Sequence, residues 1–248
     1  MYLVGDIGNT EIKICLFSDK EKLLKKVRFS TQNLSQKYLN KNLKFLENKN
    51  YNFDKVVFCS VVPSAFKIIK KFIENSYKIK CFELKKLSLK KLVNIKVDKK
   101  QIGSDRVANA ISVIDKKNNF IIVDFGTATN FDVVISKNYV GGILAPGVQL
   151  SLKSLSEKAS LIPKIHLKKA KKVIGKNTVS ALRSGFYHGY SGLIDNIIKL
   201  IIKQTRKQFK IILTGGYSYL FKNSIKGKVL VNKDLTIYGV LKVVKTLK

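Results

Sequence analysis

The chain has 248 residues, of which 45% are hydrophobic and 10% aromatic, and its formal net charge is +32. This length suffices for two domains of about 100 to 150 residues, and the composition is that of a globular protein. Its apolar runs are shorter than the ~18 residues that a membrane helix requires, so we expect no membrane partner. The first residues, "MYLVGDIGNT", lead directly into a strand pattern without the features of a signal peptide, and we expect a cytoplasmic protein.

The positive charge comes from lysines spread along the whole chain. Only four of the 48 basic residues are arginines, although the planar fork of arginine is the group favoured for phosphate and base recognition. The stretches "KEKLLKK" and "HLKKAKK" predict solvated faces, and no helix-turn-helix, zinc-finger or RNP-like pattern accompanies them. We therefore expect weak electrostatic binding to polyanions at low salt, but no specific nucleic-acid partner.

Cysteine usage gives no sign of a disulfide framework or a zinc site. Cys15, Cys59 and Cys81 are far apart in the sequence, odd in number and without C-x-x-C spacing. They are expected to be buried reduced thiols.

In the first half of the chain, short strand patterns alternate with helical ones. "MYLVGDIG" and "EIKICLFS" predict two strands around a Gly-Asn-Thr turn. "KVVFCSVVP" predicts a buried strand that ends at Pro63, and "SAFKIIKKFIENS" predicts a helix with Ser64 as its N-cap. The segment "DRVANAISVID" predicts a further helix that begins at about Asp105.

The second half repeats this alternation. "NFIIVDFG", "NFDVVIS" and "YVGGILAPG" predict strands, a long helical stretch runs from about residue 178 to about Gln208, "KIILTGG" predicts another strand, and "LTIYGVLKVVKTL" predicts a closing helix. No low-complexity linker separates the halves. The boundary is expected near residues 115–119, which gives domains 1–116 and 117–248.

One unit occurs twice: a strand, a carboxylate, a glycine-and-threonine turn and a second strand, at Asp6 and again at Asp124. Such a turn offers a carboxylate for a metal ion, a glycine that permits close approach, and hydroxyl and amide donors for phosphate oxygens. A single copy is common in hairpins that bind nothing. Two copies and the strand-end "LTGG" favour two similar α/β domains facing each other across a cleft. This arrangement resembles the ribonuclease-H-like (actin-like ATPase) domains of sugar kinases, actin and chaperones.

Five motifs narrow the resemblance to one family. They are "DIGNT" (6–10), "GSDR" (103–106), "DFGTATNFD" (124–132), "GGILAPG" (141–147) and "TGG" (214–216). In this order, and over essentially the whole chain, the sequence resembles the type III pantothenate kinases. The resemblance implies ATP-dependent phosphorylation of pantothenate to 4'-phosphopantothenate, the first step of coenzyme A biosynthesis. It also implies Mg²⁺, a monovalent cation (K⁺ or NH₄⁺) and a homodimer.

The resemblance implies three places for the nucleotide and its ions. The first phosphate loop comprises Asp6, Ile7, Gly8, Asn9, Thr10, Glu11, Ile12 and Lys13. Asp6 is expected to hold Mg²⁺ directly or through water, and Asp124 is the expected ligand of the monovalent cation. Thr127 is expected to contact ATP, and Gly215 and Gly216 to lie against the adenosine. For two other side chains the alternatives stay open: Lys13 reaches phosphate or is solvated, and Asp132 pairs locally or solvates a strand edge.

The resemblance also implies the residues for pantothenate: Gly103, Ser104, Asp105, Arg106 and Thr178. Asp105 is the expected general base, whose main task is to orient the attacking hydroxyl, and Arg106 offers a fork to carboxylate or amide oxygens. Taken alone, "SDR" would favour an Asp105 that caps a helix beside a surface arginine, and the surrounding motifs reverse that preference. Thr178 is expected to contact pantothenate across a dimer interface.

Several observations leave other interpretations open. Lys96 and Lys100 stand where many family members have a tyrosine and a proline, and neither Tyr77 nor Tyr139 can be assigned to the missing aromatic wall. The glycines at 185, 189 and 192 share one helix face and permit close packing, within the chain or between subunits. The alternative functions are a non-catalytic regulatory accessory factor of the same fold, a nucleic-acid-binding protein and a kinase for another small alcohol.

Overall fold

The computed structural model describes residues 1–48, 51, 53, 55–115 and 117–247. Its elements form two compact units, one of Met1–Ile114 together with Leu235–Lys248 and the other of Asp115–Asp234. Each unit has its own cluster of buried apolar side chains. Within the described residues, no helix has both the length and the apolar character of a membrane span.

The first unit is built on a five-stranded mixed sheet with the strand order β3-β2-β1-β4-β5. β1 pairs antiparallel with β2, and β2 with β3, whereas β4 runs parallel to both β1 and β5. The strands of the unit are β1 (Tyr2–Ile7), β2 (Glu11–Phe17), β3 (Leu23–Ser30), β4 (Lys55–Ser60), β5 (Lys80–Glu83) and the short β6 (Asn94–Ile95).

Helices cover this sheet with their apolar faces. They are α1 (Gln36–Leu43), α2 (Pro63–Tyr77), α3 (Ser104–Val113) and the C-terminal α7 (Leu235–Val244), with 3₁₀ turns at Lys44–Glu47 and Leu84–Lys86. The expectation that Ser64 caps α2 is wrong, because the helix begins one residue earlier, at Pro63, and Val62 occupies the cap position. Proline suits a first helical position since its φ is preset and its missing N–H would have no partner there.

The C-terminal helix α7 completes the first unit. It packs against β1, β4 and α3, and Thr236 Oγ1 donates a buried hydrogen bond of 2.8 Å to Asn109 Oδ1. A Cβ atom on Gly239 would lie 1.9 Å from the carbonyl oxygen of Ala108, so α7 and α3 are in backbone contact there. Residues 117–248 therefore do not form one domain, contrary to the expected boundary, because the apolar surface that buries α7 belongs to the first unit. Lys116, where the expected boundary falls, lies outside the described residues.

The second unit repeats the connectivity of the first. Its strands are β7 (Phe120–Phe125), β8 (Ala128–Ile135), β9 (Asn138–Pro146), β10 (Lys210–Gly215) and β11 (Val229–Val231), and its helices are α4 (Val148–Lys158), α5 (Thr178–Thr205) and α6 (Ser218–Phe221). Among these five strands the order is β11-β10-β7-β8-β9, with an antiparallel meander of β7, β8 and β9 and a parallel set of β7, β10 and β11. Asp6 in β1 and Asp124 in β7 therefore hold equivalent positions, each one residue before the end of the first strand.

Candidate active site

A tight turn joins β1 to β2 and forms the first phosphate loop. The Gly8 amide donates to the Glu11 carbonyl at 3.0 Å. Thr31, which directly follows β3, stabilises the turn with two hydrogen bonds. Its hydroxyl donates to the Gly8 carbonyl at 2.7 Å, and its amide donates to the Thr10 carbonyl at 3.1 Å. Asn9 and Thr10 at the tip are exposed. The loop is thus held by its own backbone while its tip stays accessible to an anion.

The residues that flank the loop tip form two groups, one buried in the apolar core and one beside Asp6. Ile7 and Ile12 are fully buried and anchor the turn in the apolar core. Lys13 is half-buried and lies directly opposite Asp6 in the β1–β2 register. Of the two alternatives for Lys13, the described position beside the carboxylate favours a role at the site over simple solvation.

Asp6 lies where β1, β2 and β4 meet, with Lys13 on one side and Cys59 on the other. Burial raises the pKa of the Asp6 carboxyl from 3.8 to about 6; the Lys13 ammonium opposes this shift and the nearby Asp105 carboxylate adds to it. An electrostatic effect of this kind requires the two carboxylates to be close. The first unit therefore brings the expected metal ligand and the expected base into one region.

Asp105 is held at the first turn of α3. Gly103 occupies the cap position, so the alternative in which Asp105 is the N-cap is wrong. The Asp105 Oδ1 accepts a hydrogen bond of 2.8 Å from the Arg106 amide. A Cβ atom on Gly103 would lie 2.4 Å from the same oxygen, so only glycine leaves room for this carboxylate. Burial raises the pKa of Asp105, against the lowering effect of the Arg106 amide and guanidinium and of Lys85.

The thiol of Cys59 shares this region. Cys59 is fully buried on β4, and burial together with the Asp6 and Asp105 carboxylates raises the pKa of its thiol. Cys15 and Cys81 are buried as well, which confirms the expectation of buried thiols. Sequence reasoning treated Cys59 only as a core residue; its register opposite Asp6 becomes visible only once β4 is paired with β1.

The donor set fits a divalent cation that is completed by phosphate oxygens. Mg²⁺ in phosphoryl-transfer sites is bound through one or two carboxylates, substrate phosphates and water. A buried carboxylate with a raised pKa, such as Asp6, is one whose charge a cation would compensate. Among the described residues, no three His, Cys, Asp or Glu side chains gather into a protein-only metal site.

In the second unit, the turn after β10 lies against Asp124. Thr214 and Asp124 are partners in the β7–β10 register. Gly215 has φ +82°, and a Cβ atom there would lie 2.6 Å from Asp124 Oδ1 and 2.5 Å from the Phe125 carbonyl oxygen. The Gly216 amide donates to that carbonyl at 3.0 Å. The two glycines and the second carboxylate therefore form one compact feature.

Thr127 is the accessible threonine of the second loop. Thr127 is exposed, whereas Thr129 is buried and its hydroxyl donates to the Pro146 carbonyl at 3.1 Å. A Cβ atom on Gly147 would lie 2.0 Å from the Thr127 carbonyl oxygen, so the start of α4 packs directly on this loop. In the sequence, Gly147 is only the last residue of the motif "GGILAPG". Its close approach to the Thr127 carbonyl becomes visible only in the fold.

The start of α5 presents Thr178. The Asn177 side chain caps the helix by accepting from the Ser180 amide at 2.9 Å, which leaves Thr178 exposed at the first helical position. The glycines at 185, 189 and 192 are exposed too, and no described atom lies within 4 Å of their Cβ positions. Packing of this glycine face within the described chain is thereby contradicted.

The buried pair of Asp132 and Tyr139 decides between the two alternatives for Asp132. The Tyr139 hydroxyl donates to Asp132 Oδ1 at 2.7 Å, and both residues are almost fully buried. Asp132 therefore pairs locally and does not solvate a strand edge. Tyr77 is half-buried against the core of the first unit.

The model of the type III pantothenate kinase family matches residues 2–200. The chain belongs to this family. It is 58% identical to the type III pantothenate kinase of Pelagibacter ubique (strain HTCC1062), with the whole of both chains covered. It is 33% identical to the one of Dehalococcoides mccartyi (strain ATCC BAA-2266 / KCTC 15142 / 195), over 94% of this chain and 93% of that protein.

Solved structures confirm the fold class. The inorganic polyphosphate/ATP-glucomannokinase of Arthrobacter sp. strain KM matches with a TM-score of 0.54 at 14% identity, over 100% of this chain and 99% of that chain. The chain thus has the α/β fold of the sugar kinase and actin-like superfamily, with two sheets of the same connectivity.

Proposed function

We propose that this chain is a pantothenate kinase, which transfers the γ-phosphoryl group of ATP to the primary hydroxyl of pantothenate and forms 4'-phosphopantothenate, the first step of coenzyme A biosynthesis. Membership of the type III pantothenate kinase family supports this function. The single structural observation that carries it is that Asp6 and the first turn of α3, which bears Asp105, meet at Cys59: Asp6 is the register partner of Cys59, and the Cys59 thiol is hydrogen-bonded to Ser104. ATP and a divalent metal ion are its cofactors.

The turn between β1 and β2 receives the phosphates. Its backbone amides and the Thr10 hydroxyl donate to the β- and γ-phosphate oxygens, while Lys13 contributes positive charge next to Asp6. Asp6 holds Mg²⁺ directly or through water. When bound, Mg²⁺ neutralises the charge that develops on the phosphate oxygens.

Asp105 orients the attacking hydroxyl of pantothenate and accepts its proton. Phosphoryl transfer needs little proton abstraction before the transition state, so the position of this carboxylate matters more than its basicity. Its raised pKa, caused by burial, keeps it a better proton acceptor than an exposed aspartate. Gly103, Ser104 and Arg106 surround it, and the Arg106 guanidinium is assigned to the carboxylate or amide oxygens of pantothenate.

We assign the remaining nucleotide contacts to the second unit. Asp124 is the proposed ligand of a monovalent cation, K⁺ or NH₄⁺, which supplies positive charge beside the phosphates. Thr127 is the proposed contact to ATP, and Gly215 and Gly216 the proposed surface for adenosine. The exposure of Thr127 and the contact between Gly215 and Asp124 support these assignments.

We further propose that the protein acts as a cytoplasmic homodimer. Thr178, exposed at the start of α5, is assigned to pantothenate across the subunit interface, and the glycine face of the same helix is assigned to subunit packing. A helix face without side chains lets a second backbone approach closely.

The alternatives make different experimental predictions. A regulatory accessory factor would release no ADP, and a nucleic-acid-binding protein would bind DNA at moderate salt, whereas diffuse attraction to lysines collapses as salt rises. The decisive experiment is an ADP-release assay with and without pantothenate, with and without K⁺. Turnover that requires both supports the proposal. Turnover without pantothenate, or none under any condition, contradicts it.

A further inference from the structure

A carboxylate outside the family motifs is bound to the start of α3. Glu83 ends β5, and its Oε1 accepts a hydrogen bond of 2.6 Å from the hydroxyl of Ser104, which is 2% exposed. The other oxygen, Oε2, accepts from the Lys85 amide at 2.8 Å. Both oxygens of Glu83 are therefore occupied, one by its own turn and one by the residue that precedes Asp105.

Lys85 adds a second link between the same two parts of the chain. Its ammonium donates to the Ile102 carbonyl at 2.6 Å and reaches the Lys100 carbonyl at 3.5 Å. Residues 83–85 thus fasten the segment that leads into α3 at two points. The ends of the intervening loop are joined by side chains, as in a compact surface loop whose termini lie close together.

The first turn of α3 lacks the usual means of fixing its direction. Its cap residue, Gly103, has no side chain that could accept from the first amides of the helix. The Asp105 carboxylate accepts a hydrogen bond from the Arg106 amide of the same turn. The direction of the carboxylate therefore changes with the direction of the turn. The hydrogen bond from Ser104 to Glu83 is short and partly buried, and its acceptor is a carboxylate, so it links this turn directly to the end of β5.

We propose that Glu83 is a positioning residue for the phosphoryl transfer: through Ser104 it fixes the first turn of α3, and with it the direction of the Asp105 carboxylate. Lys85 supports the same segment from the other side. This inference rests on the proposed role of Asp105 as the base that orients the hydroxyl. The described hydrogen bonds of Glu83 run to Lys85 and Ser104, and not to the phosphate loop or to Asp105.

Removal of the link should lower turnover more than nucleotide binding. Displacement of a catalytic group by about 1 Å can cost ~10²-fold in rate. We expect Glu83→Ala to lower kcat by about 10-fold or more, with KM for ATP within about twofold, because the phosphate loop is held by its own backbone and by Thr31. Glu83→Gln keeps an oxygen acceptor for Ser104 and should restore most of kcat.

Glu74 provides a matched control. It is also a partly buried glutamate of the first unit, and its Oε1 accepts from the Cys81 amide at 3.0 Å, but none of its described hydrogen bonds reaches α3. Glu74→Ala should reduce stability about as much as Glu83→Ala while kcat stays within about twofold. Equal losses of kcat in the two variants would overturn the proposal, since Glu83 would then act only through the stability of the sheet.

A double variant that carries both Glu83→Ala and Asp105→Asn distinguishes a failure of this inference from a failure of the proposed function. If Glu83 acts through Asp105, Glu83→Ala lowers kcat in the wild-type background and has no further effect on the residual turnover of Asp105→Asn. The same fold-loss in both backgrounds, or an unchanged kcat in Glu83→Ala, overturns the inference alone. An unchanged kcat in Asp105→Asn overturns the role of the base itself.

Discussion

Gly215 and Asp124 are in contact so close that no side chain fits between them. The Cβ position of Gly215 lies 2.6 Å from Asp124 Oδ1, and Gly215 has φ +82°, a conformation that favours glycine. The end of β10 and the end of β7 are therefore locked together in the second unit, at the place where the proposed cation ligand and the proposed adenosine surface lie.

Gly215→Ala should consequently destabilise the protein and disturb Asp124. Left-handed backbone costs a residue other than glycine about 1–2 kcal/mol, and the overlap with the Phe125 carbonyl adds to this. Gly216→Ala is the matched control, because its Cβ would lie 3.9 Å from that carbonyl, at an ordinary contact distance. Urea unfolding should show a loss of about 2 kcal/mol or more in Gly215→Ala only; equal stabilities would contradict the described turn.

Replacement of the proposed base should reduce turnover without unfolding the protein. We expect Asp105→Asn to lower kcat by ~10²-fold or more, the scale that is usual for a positioned acid-base group. The amide keeps the size of the side chain and an oxygen for the Arg106 amide, and burial raises the pKa of Asp105, so removal of its charge should leave the thermal midpoint at or above that of the wild type at neutral pH. Steady-state ADP release and calorimetry measure the two quantities. A turnover equal to wild type would remove Asp105 from the mechanism.

The raised pKa of Asp6 predicts a pH-dependent gain in stability for Asp6→Asn. In the folded, metal-free protein this pKa is raised from 3.8 to about 6, so ionisation opposes folding as pH rises through that range. Only well below pH 3.8, the ordinary pKa, does the wild type carry a neutral Asp6 in both the folded and the unfolded state and match the variant; the difference then grows as pH rises towards 6. Above pH 6 the variant should be more stable by about 3 kcal/mol, from a shift of about two pKa units.

Chemical unfolding between pH 4 and pH 8, without Mg²⁺ or nucleotide, measures this difference. Glu74→Gln is a suitable control, since Glu74 lies in the same unit away from Asp6. If the difference in the free energy of unfolding between Asp6→Asn and the wild type stayed constant over this pH range, the Asp6 carboxyl would not have a pKa raised by burial.

The contact between Gly239 and Ala108 predicts a large loss of stability from one methyl group. In Gly239→Ala the new Cβ would overlap the Ala108 carbonyl oxygen at 1.9 Å, and both atoms belong to packed helices. We expect a loss of about 1–3 kcal/mol, as for other overpacked interiors, although alanine is the better helix former. Thermal unfolding tests this, and a stabilised variant would show that α7 and α3 are farther apart.

The glycine face of α5 predicts a defined effect on the proposed dimer. Gly189→Leu would place a large side chain where a second subunit is expected to pack, and should increase the fraction of monomer at micromolar concentration. Lys71→Leu adds a similar side chain to an exposed position of α2 and should leave the oligomeric state unchanged. Light scattering coupled to size-exclusion chromatography distinguishes them. A dimer equally stable in both variants would place the interface elsewhere.

The sequence predicted those features that depend on local pattern. The two turns at Asp6 and Asp124, their flanking strands and the long α5 all follow from alternation, glycine and apolar periodicity. The edge strand β3 was not predicted, because "KEKLLKK" lacks the alternation of a half-buried strand, and Leu23 and Leu24 are indeed exposed.

Features that depend on contacts between distant segments could not be predicted. Glu83 stands 21 residues before Ser104 and carries no motif; its role appears only when β5 is placed beside β4. In the same way, the periodicity of residues 235–244 predicted a helix but not the surface that it would cover. Local propensity determines what an element is, whereas its partner is determined by the tertiary fold.

The return of α7 to the first unit has a consequence for biosynthesis. Domains usually fold as they emerge from the ribosome, the N-terminal one first. Here the second unit is one continuous stretch, Asp115–Asp234, whereas the first unit needs the last segment of the chain. The unit whose translation begins first is therefore completed after the second unit, and until α7 is translated, the face of β1, β4 and α3 that α7 covers has no helix on it.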